Sequence, residues 1–157
     1  MRRFRLPTTA AAALVTMALV AAALPGAGAA VAGRSAGGDP GKIIKTRSSA
    51  FGTVLIDGKR RTIYAFDKEE TRKSECYGDC ARAWPPVLTN GPPRARGNAR
   101  ARLLGITRRN GGRKQVTYKG HPLYYYAAED PGQILCQNVN EFGGRWLVLR
   151  PSGNPVR

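Results

Sequence analysis

The chain has 157 residues, with 26 Lys and Arg against 10 Asp and Glu, and a formal net charge of +16. That excess favours polyanionic partners, while a single His leaves little general-base chemistry near neutral pH. The length suits one domain with one core, which folds without many covalent staples.

The N-terminus begins with Arg2, Arg3 and Arg5, continues as an Ala-rich apolar run from Ala10 to Leu24, and breaks at Pro25 and Gly26. Basic, apolar and small-residue regions in that order describe a signal peptide over residues 1–30, with Ala27 and Ala29 marking the cleavage site. The run is shorter than the ~20 residues of a membrane span, so no transmembrane segment is expected after cleavage. The leader takes three Arg and no acid, leaving 23 basic residues against 10 acidic ones, a formal +13. Residues 31–42, rich in Gly, Ala and Ser, read as a disordered tether.

From Ile43 onward short strands dominate. Gly52 to Asp57, a turn at Gly58, and Thr62 to Phe66 read as a hairpin. Leu103 to Thr107, the turn Asn110-Gly111-Gly112, Gln115 to Tyr118, and Leu123 to Tyr126 after Gly120 give a second set. Trp146 to Leu149 forms a last strand, ended by Pro151. Helical periodicity is nearly absent; only Cys80 to Ala83 turns helically before Pro85 and Pro86 stop it. Trp84 and Trp146 are expected in the core, where large rings seal the sheet.

Two stretches repeat each other. Tyr64 and Phe66 are followed by Glu69, and Tyr124 and Tyr126 by Glu129, each unit preceded by a branched apolar residue. Strand alternation puts Tyr64 and Phe66 on one face, and likewise Tyr124 and Tyr126, with each carboxylate just past its strand. Duplication of a β-rich module explains the pattern, with repeat 1 at about residues 51–90, repeat 2 at about 103–150, and copies packed around a pseudo-two-fold axis. The expected fold is therefore all-β, a small antiparallel β-sandwich or barrel-like domain of two tandem repeats over residues 43–157.

The same residues carry a resemblance. Gly52 to Phe66, Cys76-Tyr77-Gly78-Asp79-Cys80-Ala81, Trp84-Pro85-Pro86, Leu103-Leu104-Gly105, Gln115 to Tyr118, Gly120 to Tyr125, and Phe142 to Trp146 resemble, in order and spacing, a bacterial secreted or lipoprotein repeat family named for a Tyr-x4-Asp motif. The resemblance implies a secreted or cell-envelope location and carries no known function. The chain departs from the pattern in having Glu69 and Glu129 where the family has Asp, and Cys136 where a small residue is usual.

Two roles are open to the motif acids. Each caps a turn or accepts from its own repeat's tyrosine, or else Glu69 and Glu129 meet across the repeat axis as a cation or acid-base pair. Cys76 and Cys80, close together around a Gly-containing turn in an oxidising compartment, are expected to form a disulfide. Cys136 is the odd thiol, expected to be buried, with a Cys136-linked dimer or exchange with the bridge left open beside the monomer. His121, between Gly120 and Pro122, reads as a solvent-facing turn residue.

No acid lies between Cys80 and Ala128, yet Arg94, Arg96, Arg100, Arg102, Arg108 and Arg109 all do. They form a candidate polyanion-binding face for anionic envelope polymers or lipid head groups; the loop holding the first four carries no interleaved aromatics, so sequence-specific nucleic-acid binding is not expected. Serine-hydrolase, zinc-protease, phosphate-loop and Cys-His nucleophile patterns are absent, and no cofactor or metal is expected. The sequence thus reads as a non-catalytic envelope binding module; a redox or metal-handling accessory protein using Cys76, Cys80, Cys136 and the tyrosines is the alternative.

Overall fold

The structure is a computed structural model that describes residues 40–157. The expected signal peptide and most of the expected tether lie outside the described residues. The tether's last residues are in contact with the domain: Gly41 is buried, and the Lys42 amide donates to Thr89 Oγ1 at 3.0 Å. The residue at 41 must be glycine, because a Cβ there would stand 1.6 Å from the Pro92 carbonyl oxygen.

Two sheets make up the domain. The three-stranded sheet has the order β2-β1-β4, with β1 Ile43–Ser49, β2 Gly52–Asp57 and β4 Arg94–Ala95. The six-stranded sheet has the order β5-β6-β7-β3-β9-β8. Its members are β3 Tyr64–Phe66, β5 Leu104–Arg108, β6 Lys114–Tyr118, β7 His121–Tyr124, β8 Val139–Glu141 and β9 Gly144–Val148. Pairing is antiparallel apart from the short β1·β4 contact. Among the described residues one short α-helix, α1 Asp79–Ala83, lies within the first repeat and ends at Trp84 before Pro85 and Pro86.

The hairpin expected of Gly52 to Asp57 and Thr62 to Phe66 forms only at its closed end, where the Asp57 amide donates to the Arg61 carbonyl and the Ile63 amide to the Leu55 carbonyl. A single bridge, Ile56 to Thr62, joins their ends, while β2 pairs along its length with β1 and β3 enters the larger sheet between β7 and β9. All three residues of β3 are buried, and a central strand needs partners on both edges, which β2 alone cannot supply. The β5·β6 hairpin does form, and its turn depends on Gly111 and Gly112, at φ +81° and +79°, values that side-chain-bearing residues resist.

Because β3 and its neighbours are covered on both sides, strand alternation feeds two cores. Tyr64, Phe66, Trp84, Tyr124, Trp146 and Val148 pack in one; Ile63, Ala65, Leu123, Tyr125, Val116 and Tyr118 pack in the other. Trp84 and Trp146 are wholly buried, as expected, and stack with ring centres 4.0 Å apart. Phe66 stacks on Trp146, while Tyr124 meets Trp146 and Tyr64 meets Trp84 edge-on. Pairs of this kind add about 0.5–1.5 kcal/mol each beyond the area they bury.

Candidate functional site

The antiparallel pair β3·β7 sets Tyr64 opposite Tyr124, so the repeat axis passes between the two motif tyrosines. In such a pair the chain leaving one strand runs back past the start of the other. That places each acid beside the other repeat's tyrosine. Tyr64 Oη donates to Glu129 Oε1 at 2.6 Å, and Tyr124 Oη donates to Glu69 Oε1 at 2.5 Å. The expectation that each acid serves its own repeat's tyrosine is corrected by this exchange. The turn-holding half of that expectation is met: the Glu75 amide donates to Glu69 Oε1 at 2.7 Å and the Leu135 amide to Glu129 Oε1 at 2.5 Å. Each acid is engaged with the opposite tyrosine and its own following turn rather than with the other acid. Phe66 and Tyr126 lie in the same aromatic cluster, Phe66 buried and Tyr126 at its margin against Trp84.

Glu69 is 4% exposed, and its Oε2 is buried without a hydrogen-bond partner. Burial raises its carboxyl to about 7, against which the bonds from Tyr124, Glu75 and Cys76 pull only partly. Behind Tyr124 runs a directed chain. Arg109 Nη1 donates to Ser74 Oγ, which lies 2.7 Å from Tyr124 Oη, whose proton points to Glu69. Arg109 also donates to Gln115 Oε1 at 2.8 Å and to the Cys76 carbonyl at 2.5 Å, and Gln115 Nε2 donates to the Leu123 carbonyl. Glu69 also borders a cavity of about 310 Å³ with Arg72, Lys119 and His121.

The second acid sits differently. Glu129 is half-buried beside Arg47, and burial raises its carboxyl above the usual range. The Cys136 amide donates to Tyr64 Oη at 3.4 Å, and burial followed by the charges of Glu129 and Glu141 raises the Cys136 thiol. Both tyrosine hydroxyls are raised as well, chiefly by burial, so they stay protonated and donate.

Cys76 and Cys80 form the expected disulfide, their Cα atoms 5.2 Å apart, and Cys136 is a buried free thiol. Arg94, Arg96, Arg100, Arg102 and Arg108 are exposed. Arg109 is not on that face. It is 7% exposed, its guanidinium taken up by Ser74, Gln115 and Cys76 and laid over the Tyr77 ring, so it has nothing left to offer a polymer. His121 is also corrected. It opens β7 opposite Tyr118 and is half-buried, and burial with the Lys119 charge lowers its pKa.

Sequence reasoning missed the groove over β5. Arg102 forms part of it, but Arg72, Lys73 and Lys119 complete it, in a volume of about 610 Å³ with no acidic side chain on its wall. Arg72 and Lys73 lie among Glu69, Glu70 and Glu75 in sequence, which hid their contribution to a basic surface. Also missed was the buried Asp57, which accepts from the Lys59 and Arg61 amides, the Arg61 guanidinium and Tyr125 Oη and so fixes the β2 to β3 corner.

The sequence model of a family described as a secreted repeat of unknown function matches residues 45–88 and again residues 105–150. Neither a curated protein nor a solved structure matches the chain.

Proposed function

Because the chain belongs to this family of secreted repeats, we propose that it is an extracytoplasmic, non-catalytic binding module that takes anionic envelope polymers or anionic lipid head groups on its basic face. The observation that carries the reading is the groove over β5, which Arg72, Lys73, Arg102 and Lys119 line with no carboxylate among them. Arg94, Arg96 and Arg100, all exposed on the segment before β5, add to the positive charge of the surface. Positive charge gathered on a surface draws polyanions by releasing their counterions, an attraction that depends on salt and little on sequence.

Polyphosphate and phosphatidylglycerol vesicles are the direct probes. Affinity should fall steeply with added salt, and neutralising Arg94, Arg96, Arg100 and Arg102 together should weaken binding while leaving the circular dichroism spectrum intact. Salt-insensitive binding, or full retention in that variant, would count against the reading.

A redox accessory role is the second reading. It is supported by the Cys76–Cys80 bridge and the Cys136 thiol belonging to one buried cluster that also holds two carboxylate-bonded tyrosines. Thiol counting and metal analysis of the purified protein separate the two, because a readily reduced bridge or stoichiometric metal belongs only to the second.

A further inference from the structure

Strand β5 ends its sheet: β6 pairs with one edge, and no described strand pairs with the other. Its hydrogen-bond phase is fixed at both ends. The Arg109 amide donates to the Arg113 carbonyl, and the Lys119 amide donates to the Leu103 carbonyl. In an antiparallel ladder such bonded pairs alternate with pairs whose backbone groups point away. Residues 103, 105, 107 and 109 therefore bond β6, while Leu104, Ile106 and Arg108 turn their backbone groups outward. The far side of β6 keeps the same phase, because Val116 donates to the Val87 carbonyl and Lys114 accepts from the Thr89 amide. The Leu104 amide is already used by the Ala101 carbonyl. Projecting from the edge are the Leu104 carbonyl and both backbone groups of Ile106 and Arg108.

The basic groove adjoins this edge. Gly105 and Thr117 lie on its floor, and the floor is low because Gly105 has no side chain: a Cβ there would stand 2.8 Å from Thr117 Oγ1. Arg72, Lys73, Arg102 and Lys119 line the groove, and Ile106, at 42% exposed, gives the edge an apolar contact. An unpaired edge is a template for another strand, and its side chains select which strand comes. A second copy of the mature chain, at a formal +13, is repelled; a segment bearing carboxylates is attracted.

We infer that β5 accepts an extended acidic polypeptide segment as an added strand, its backbone bonded to Ile106 and Arg108 and its carboxylates on Arg72, Lys73, Arg102 and Lys119. This rests on the basic-face reading and, of the anionic envelope polymers and lipid head groups named there, narrows the ligand to an acidic polypeptide. The strand rises about 3.4 Å per residue, so a peptide of about eight residues spans β5 with overhang.

The test uses a fluorescent peptide of about eight alternating Glu and Thr residues, the same peptide N-methylated on alternate amides, and polyphosphate as a polyanion without a peptide backbone. The mature protein should bind the parent peptide about tenfold or more tighter than the N-methylated form, the cost of losing edge hydrogen bonds. Ile106→Pro should reproduce that loss. The amide it removes points away from β6, and proline is tolerated on an edge strand. Arg72→Gln with Arg102→Gln should weaken both ligands. Equal binding of the parent and N-methylated peptides by the unaltered protein would overturn strand addition, even with polyphosphate still bound and the basic-face reading intact. Binding of neither peptide nor polyphosphate would overturn both.

Discussion

The two motif acids make the same bond and live in different surroundings. Glu69 is enclosed, with one oxygen unpartnered and a buried arginine three hydrogen bonds away through Tyr124 and Ser74. Glu129 is half open, close to Arg47, with Cys136 behind its tyrosine. The two repeats share the hydrogen bond, while the loops around each acid give it a different environment. The motif therefore specifies geometry and leaves proton affinity to context.

The largest test of this asymmetry is removal of the buried arginine. Arg109→Met leaves Ser74, Gln115 and the Cys76 carbonyl without their donor and should cost about 4 kcal/mol in urea unfolding. Arg47→Met on the other side loses one bond, to the Gly132 carbonyl, and should cost about 1 kcal/mol. Equal losses would erase the distinction between the repeats.

Acid-base behaviour comes next in size. Unfolded Glu69 titrates near its ordinary 4.5 and the folded side chain at about 7, so between those values the folded chain holds a proton that the unfolded chain has released. Its contribution is full below pH 4.5 and is lost as pH rises through 7, about 3 kcal/mol in all. Urea midpoints should therefore fall between pH 5 and pH 8, and Glu69→Gln should flatten most of that slope. Glu129→Gln should flatten it less, since that carboxyl is half open, although its shift has the same sign.

A smaller contrast separates the tyrosines. Tyr124→Phe strips the donor from an enclosed carboxylate and should cost about 2 kcal/mol; Tyr64→Phe should cost about 1, because water reaches Glu129. Smallest in energy is the thiol. Native Cys136 should react with iodoacetamide far more slowly than a free cysteine at pH 8 and reach the ordinary rate in urea.

Much of the fold was legible. β2, β5, β6 and β9 announced themselves by alternation and turn residues, and the Asn-Gly-Gly turn lies where its positive φ values are needed. The sheet to which each strand belongs was not legible, because Thr62 to Phe66 reads alike beside β2 or between β7 and β9. The chemistry of the site was less legible still. Nothing local to Tyr64 says that its acid lies 65 residues away. The basic groove joins residues from a mixed-charge loop to others in an arginine run, and neither segment signals the other.

The exchange of partners between repeats has a genetic consequence. A bond set in which each half completes the other closes only in pairs, so a chain carrying one repeat would leave a tyrosine and an acid unmatched unless a sister molecule supplied them. Fusion of two such genes turns an intermolecular symmetry into an internal one. After that event the halves can no longer be inherited separately, yet each is free to diverge wherever the shared axis does not reach.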